Sequence, residues 1–342
     1  KARAAGKEAR AADEAAGGGG GRRGRPVRGA VGRTQRRKAE AAAAEEEQRK
    51  AKPSPRKKKG KGKARKEEEE QEEKPAALKI NFFSKSFLTQ HVRDIIAFYE
   101  PRVVDPAGGY FQSFYVDGTP FNPGFRQIVS STRITINFLL AGKLLGRPEL
   151  IKIGKHGLDY IEHVHFVASR GTYAFSVRDG QPEDLTEQAY GYAFILAAHA
   201  AAVAAGASPD GSHVARIFDY LEKKFFLPEK GAYLDTISAD GVVDNQYRGQ
   251  NSNMHMCEAL IAAYEATKER RYLDRAALLA RTFTQTLAAK AGGFVWEHYT
   301  VDFEVDWEYN RNDPTNIYRP WGFQPGHQAE WAKNLLNIHR HA

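Results

Sequence analysis

An all-α fold of helix pairs joined by short β-hairpins, an (α/α)6 toroid or barrel, is predicted by three observations. A glycine followed closely by an aromatic residue returns at Gly109-Tyr110-Phe111, Gly171-Thr172-Tyr173, Gly231-Ala232-Tyr233 and Gly293-Phe294, in steps of 62, 60 and 62 residues. A fixed period of this kind marks a repeat architecture. Two helical stretches lie between successive markers. The first of each pair is apolar nearly all round, as at 192–205, while the second carries charge, as at 149–162 and 268–281. That contrast suits an inner layer buried on both sides and an outer layer facing water.

Taken in order, residues 1–78 hold 24 Lys+Arg, 13 Asp+Glu and no Phe, Tyr or Trp. Such a segment cannot bury enough apolar surface to offset chain entropy, so a disordered, low-complexity basic tail is expected. Its block Arg56-Lys57-Lys58-Lys59 reads as a localisation signal, a weak polyanion contact or a solvated extension. The second unit, 79–342, is the expected α/α barrel domain, with order beginning near Ile80. Its pairs are 127–145 with 148–166, 186–205 with 211–225, and 252–268 with 271–289. Gly146, Gly206 and Lys268-Glu269-Arg270 supply the turns. At about 61 residues per pair this unit holds about four of six pairs, so the chain is expected to stop before a ring closes.

The net charge of +9 belongs to the tail, because the remaining residues carry 27 basic and 29 acidic side chains. It gives no reason to expect nucleic-acid binding by the folded part. One cysteine, Cys257, rules out an internal disulfide framework and a multi-cysteine zinc module. It suits a reducing, cytoplasmic setting. No run approaches 18 consecutive apolar residues, so no membrane span is expected. No secretory signal is visible at the start, and the 13 acids disfavour a transit peptide. The first residue is Lys1 and not methionine, so a fragment or an incorrect gene boundary is expected.

The densest cluster of reactive groups is Arg319-Pro320-Trp321-Gly322-Phe323-Gln324-Pro325-Gly326-His327-Gln328-Ala329-Glu330-Trp331. Pro325 should open a helix with His327 in its first turn and Glu330 on the same face. The positive helix end is expected to keep His327 neutral, as a general base requires. A structural histidine among tryptophans is the equal alternative. A second cluster is Gln250-Asn251-Ser252-Asn253-Met254-His255-Met256-Cys257-Glu258, where Asn251 and His255 share a helix face above small residues. A satisfied core histidine is the plainer reading of His255. Arg133 and Tyr190 sit near the starts of two earlier inner helices. An arginine on an apolar face calls for an anionic partner or ligand. The acids Glu297, Asp302, Glu304, Asp306 and Glu308 read as a solvated strand face. All four tryptophans fall between 296 and 331, as sugar-stacking faces or as a local core. There is no phosphate loop, dinucleotide fingerprint or HExxH, so no metal and no cofactor are expected.

The two clusters resemble the N-acylglucosamine 2-epimerase family, and are most similar to its bacterial mannose isomerase branch. Ser131-Thr132-Arg133 and Tyr190-Gly191-Tyr192-Ala193-Phe194 fit the same family, and the similarity spans about residues 80–336. The resemblance implies a six-pair α/α barrel. It also implies His327 as an acid/base residue and His255 as a second site histidine, with Arg133, Tyr190, Asn251, Arg319 and Glu330 lining a sugar site. The reaction it implies is histidine-catalysed aldose–ketose isomerisation, mannose to fructose, through a cis-enediolate and without a cofactor. The family's third site histidine lies on a helix beyond Ala342, so a truncated, non-catalytic chain is one alternative. A 2-epimerase acting on an N-acylhexosamine or a disaccharide is another. A glycoside hydrolase or lyase would need two facing carboxylates, for which only Glu297 with Glu330 is available. The expected partners are a monosaccharide and a second copy in a homodimer, with no membrane and no nucleic acid for the folded part.

Overall fold

The structure, a computed structural model, describes residues 80–342 except Asn245. The expected tail and its basic block lie outside the described residues. Helix α1 is Lys85–Tyr99, which the repeat does not foresee. Three hairpins follow: α2 (Ile128–Leu145) with α3 (Pro148–Tyr160), α4 (Ala189–Ala204) with α5 (Ser212–Lys224), and α6 (Gln250–Thr267) with α7 (Arg270–Arg281). Helix α8 is Pro325–His341. Four of the six paired helices fall within about three residues of the predicted bounds, whereas α3 and α7 end early, at Tyr160 and Arg281, where the chain continues as the π-helical turns Ile161–His165 and Thr282–Leu287.

The helices form two rows. Helices α2, α4 and α6 pack on one another in sequence, α8 lies against α6 and α7, and each outer helix packs on its own partner. In α4 every residue from Tyr192 to Leu196 is buried, whereas α5 buries only Val214, Ile217, Phe218 and Leu221. This is the inner and outer contrast expected from the sequence. Helix α2 is, among the described residues, long and apolar enough to cross a membrane, with a mean hydropathy of 1.2 over 18 residues. Half of it is buried against its neighbours, as in a core helix.

Gly109, Gly171, Gly231 and Gly293 all have positive φ, between 62° and 90°, where an L side chain is strained. The repeat therefore marks a backbone corner. At two corners it closes an antiparallel hairpin, pairing Phe166–Val167 with Thr172–Tyr173 and Phe226–Leu227 with Ala232–Tyr233. At Gly293-Phe294 no hairpin forms; the strand there is His298–Tyr299, paired back to Arg248–Gly249.

That last pairing belongs to a second repeat, which fixes where each inner helix starts. The residue before the helix pairs with an extended segment about 50 positions later: Gln127 with Ser176, Gln188 with Thr236, Gly249 with His298. The first helical N–H then donates to the carbonyl just before that segment. The bonds are Ile128 to Phe175 (2.8 Å), Ala189 to Asp235 (2.9 Å) and Gln250 to Glu297 (3.1 Å). One of the orphan donors of each helix start is thereby satisfied.

Candidate active site

Each inner helix contributes from its first two turns. Arg133 comes from α2, Tyr190 from α4, Asn251 and His255 from α6, and His327 and Glu330 from α8. The Arg133 guanidinium lies 4.3 Å from the Phe194 ring centre, and its Nη2 is 3.4 Å from Tyr190 Oη. The His255 ring packs edge-on against Tyr190, with centroids 5.3 Å apart, and against Phe194 at 5.0 Å. Arg133, Phe194, His255, Glu258 and Glu330 line a cavity of about 680 Å³ that runs along the exposed faces of α2, α4 and α6. Its walls extend along these helices, from Arg133 to Lys143, from Ala193 to Ala204 and from His255 to Glu265, with Arg133 at the end nearest the helix starts.

His255 has its Nδ1 3.3 Å from Glu258 Oε2, and Lys333 Nζ is 2.5 Å from the other Glu258 oxygen. The His255 hydrogen bond, followed by Lys333, holds the Glu258 carboxyl down at about 2 in spite of burial. Asn251 Oδ1 is buried without a hydrogen-bond partner among the described residues. Asn251 does not itself line the cavity, and a buried acceptor of this kind calls for a donor.

His327 occupies the first turn of α8, behind Pro325, as predicted. It is not on the cavity wall itself; Glu330, one turn further, is. Its Nδ1 lies 2.9 Å from both oxygens of Glu297 and 2.8 Å from Gln250 Nε2. Glu297 is 3% exposed, so it does not belong to a solvated face. Of the other acids read that way, Asp302, Glu304 and Glu308 do face solvent and Asp306 is half-buried. The expectation that His327 is held neutral is also corrected. Burial lowers its pKa, but the hydrogen bond and charge of Glu297, aided by Glu330, outweigh that and raise it above the ordinary histidine value. With Glu297 occupied by His327 and Gln250, the Glu297–Glu330 pair proposed for hydrolysis loses one of its carboxylates.

Arg319 sits apart from the Arg133 group. Its guanidinium lies 4.0 Å from the Tyr247 ring centre, and Nη1 donates to Tyr309 Oη at 2.9 Å. The charge of the wholly buried Asp235 is among those that favour it, while burial drives the Asp235 carboxyl up to about 6. The tryptophans divide evenly. Trp296 and Trp331 are core residues; Trp307 and Trp321 are each 45% exposed and pack on Trp296.

Sequence reasoning missed Glu297 as the partner of His327, although the repeat carries a signal for it. Asp235 and Glu297 each stand four residues after a marker glycine, Gly231 and Gly293. Asp235 accepts from Gly249 N and Ser252 Oγ at the start of α6, both at 2.8 Å. Glu297 meets His327, the third residue of α8, as Asp235 meets Ser252, the third residue of α6. Sequence reasoning also missed Glu162, His199 and His213, whose ligand atoms lie within 4.8 Å of one another, close enough to hold a metal ion. Glu162 is already engaged there by Tyr173 Oη (2.5 Å), His199 (2.9 Å) and the Arg216 guanidinium (2.8 Å).

The fold and this arrangement define a helical-hairpin protein with paired histidines, an arginine and carboxylates at the starts of its inner helices. The sequence model of N-acylglucosamine 2-epimerase (GlcNAc 2-epimerase) matches residues 109–342, and the chain belongs to that family. It is 45% identical over 258 residues to a D-mannose isomerase of Marinomonas mediterranea, covering 75% of this chain and 65% of that protein. The chain therefore spans about two thirds of the length of that relative. A crystal structure of D-mannose isomerase superposes with a TM-score of 0.75 at 44% identity, covering 77% of this chain and 67% of that one. Cellobiose 2-epimerase from Spirochaeta thermophila has a similar helical fold, with a TM-score of 0.58 at 18% identity over 74% of this chain and 69% of its own.

Proposed function

We propose that this polypeptide carries the histidine-bearing part of an aldose–ketose isomerase that interconverts mannose and fructose. The observation that carries the reading is the meeting of Arg133, His255 and Glu330 at one cavity, with Tyr190 packed between Arg133 and His255 and His327 joined to the start of α6 through Gln250. The similarity to D-mannose isomerases supports the choice of sugar.

In this reading the ring-opened aldose lies across the helix starts. His327 removes the proton from C2, with Glu297 stabilising the imidazolium that forms. The carbonyl acidifies that proton, so the step asks for no redox group. Negative charge then develops over O1 and O2 of a cis-enediolate, opposite the Arg133 guanidinium. His255, oriented by Glu258, and the unpartnered Asn251 acceptor hold the sugar hydroxyls. Delivery of the proton to C1 gives the ketose; delivery to the opposite face of C2 gives the epimer, the reaction for which the family is named. The inner row of helices is, in the same reading, part of an (α/α)6 toroid. The setting is cytoplasmic, where a lone thiol such as Cys257 stays reduced.

Proton NMR of mannose incubated with the chain in D2O tests this directly. Fructose carrying deuterium beside its carbonyl is the expected product. If N-acylated hexosamines or disaccharides exchange deuterium at C2 and mannose does not, the epimerase reading replaces it.

A further inference from the structure

Trp331 and Gln250 are both almost wholly buried. The indole Nε1–H of Trp331 lies 2.7 Å from Gln250 Oε1, and an indole nitrogen can only donate. The Gln250 amide is therefore fixed with its oxygen toward Trp331 and its NH2 toward Glu297 and His327. Trp331 cannot turn away, because it is stacked on Phe283 at 17° with centroids 5.7 Å apart. Gln250 Nε2 then donates to Glu297 at 3.0 and 3.1 Å and stands 2.8 Å from His327 Nδ1.

His327 Nδ1 thus meets two opposed partners, an acceptor in Glu297 at 2.9 Å and a donor in Gln250 at 2.8 Å. One ring nitrogen serves only one of them at a time. The charge-assisted bond to a carboxylate is roughly twice as strong as a neutral one, so the carboxylate wins and Nδ1 carries the proton. We propose that Glu297, Gln250 and Trp331 form a tautomer selector, which holds His327 as the Nδ1–H form and leaves Nε2 as its basic nitrogen. Among the described residues Nε2 has no hydrogen-bond partner, so it is free for substrate. The Gln250 donor is the default left behind when the carboxylate charge is lost. Nδ1 then accepts from it, the proton moves to Nε2, and the basic nitrogen becomes a donor. Gln250 and Trp331 are positioning residues, and the inference rests on His327 being the base of the proposed isomerase.

The test is the 15N NMR signature of the His327 ring in the full chain labelled at histidine, assigned by its loss in His327→Gln. Above the ring's pKa, the parent is expected to show protonated-type Nδ1 and unprotonated Nε2. The reverse pattern in the parent overturns the proposal, with no variant needed. In Glu297→Gln the proton is expected on Nε2, with deuterium exchange into mannose slowed by about 10² to 10⁴-fold and KM little changed. In the double variant Glu297→Gln/Trp331→Phe the Gln250 amide is free to turn its oxygen to Nδ1, and the Nδ1–H form returns. A structural role alone predicts no such return, and persistence of Nδ1–H in Glu297→Gln rejects the selector. The tautomer is read without turnover. A parent chain that has the Nδ1–H form but exchanges no sugar proton therefore counts against the isomerase reading and leaves the selector intact.

Discussion

His327 shows how a single neighbour reverses an expectation based on local sequence. Position in the first turn of a helix disfavours an imidazolium, and burial does too. A buried carboxylate at 2.9 Å outweighs both. The consequence is a pH dependence of definite sign. A base whose pKa is raised exists in its active, deprotonated form only as the pH climbs past that raised value. The acidic limb of kcat/KM for mannose should therefore have its midpoint above about 6.5, the ordinary histidine value. A pH–rate profile at constant ionic strength measures it, and a midpoint below that value would mean that Glu297 does not control the base. Glu297 itself was hidden in the sequence for a physical reason. Alternation separates two strand faces but cannot say which will be covered by a helix that begins nearly 30 residues later. Only the repeat register, which aligns it with Asp235, distinguishes it from Glu304 and Glu308.

At the scale of elements, legibility follows how local the determining force is. Helices α2 to α7 were visible because apolar spacing and glycine turns act within a few residues of chain. The glycine-aromatic marker was visible too, since a positive φ is a property of one residue. What it would build was less so: Gly293 keeps the corner without the hairpin. The close packing of α2 on α3 depends on a glycine that no marker announces. A Cβ built on Gly157 would lie 2.2 Å from Tyr110 Oη and 2.4 Å from Thr135 Oγ1. Tyr110 cannot retreat, because its hydroxyl donates to Ile153 O at 2.6 Å and the residue is 1% exposed. Gly157→Ala should therefore destabilise the chain by about 1–3 kcal/mol through overpacking, despite alanine's better helix propensity. Urea unfolding checks it, beside Gly326→Ala, where a Cβ meets nothing within 4 Å. Equal midpoints for the two variants would show that α2 and α3 can separate at little cost.

Across the whole molecule, burial is graded along the row of helices, and the gradient has a kinetic reading. In a repeat architecture each unit is stabilised mainly by its immediate neighbours, so a central unit gains two interfaces and a terminal one gains less. Helix α4 buries 12 of its 16 residues and α6 buries 11 of 18, whereas α1 buries only Ile96 and α8 only Trp331 and Asn334. Amide exchange is governed by local opening, whose free energy rises with buried contacts. Protection should therefore peak in Ala189–Ala204 and Gln250–Thr267 and fall off toward Lys85–Tyr99 and the outer half of Pro325–His341. The first turn of α8 is the informative exception. His327 and Trp331 are tied to Glu297 and Gln250, so the segment bearing them should exchange more slowly than residues 335–341 of the same helix. Hydrogen exchange followed by mass spectrometry resolves both gradients. If α8 exchanges uniformly, the bonds that tie His327 and Trp331 to Gln250 and Glu297 add no local stability, and His327 must owe its placement to helix packing alone.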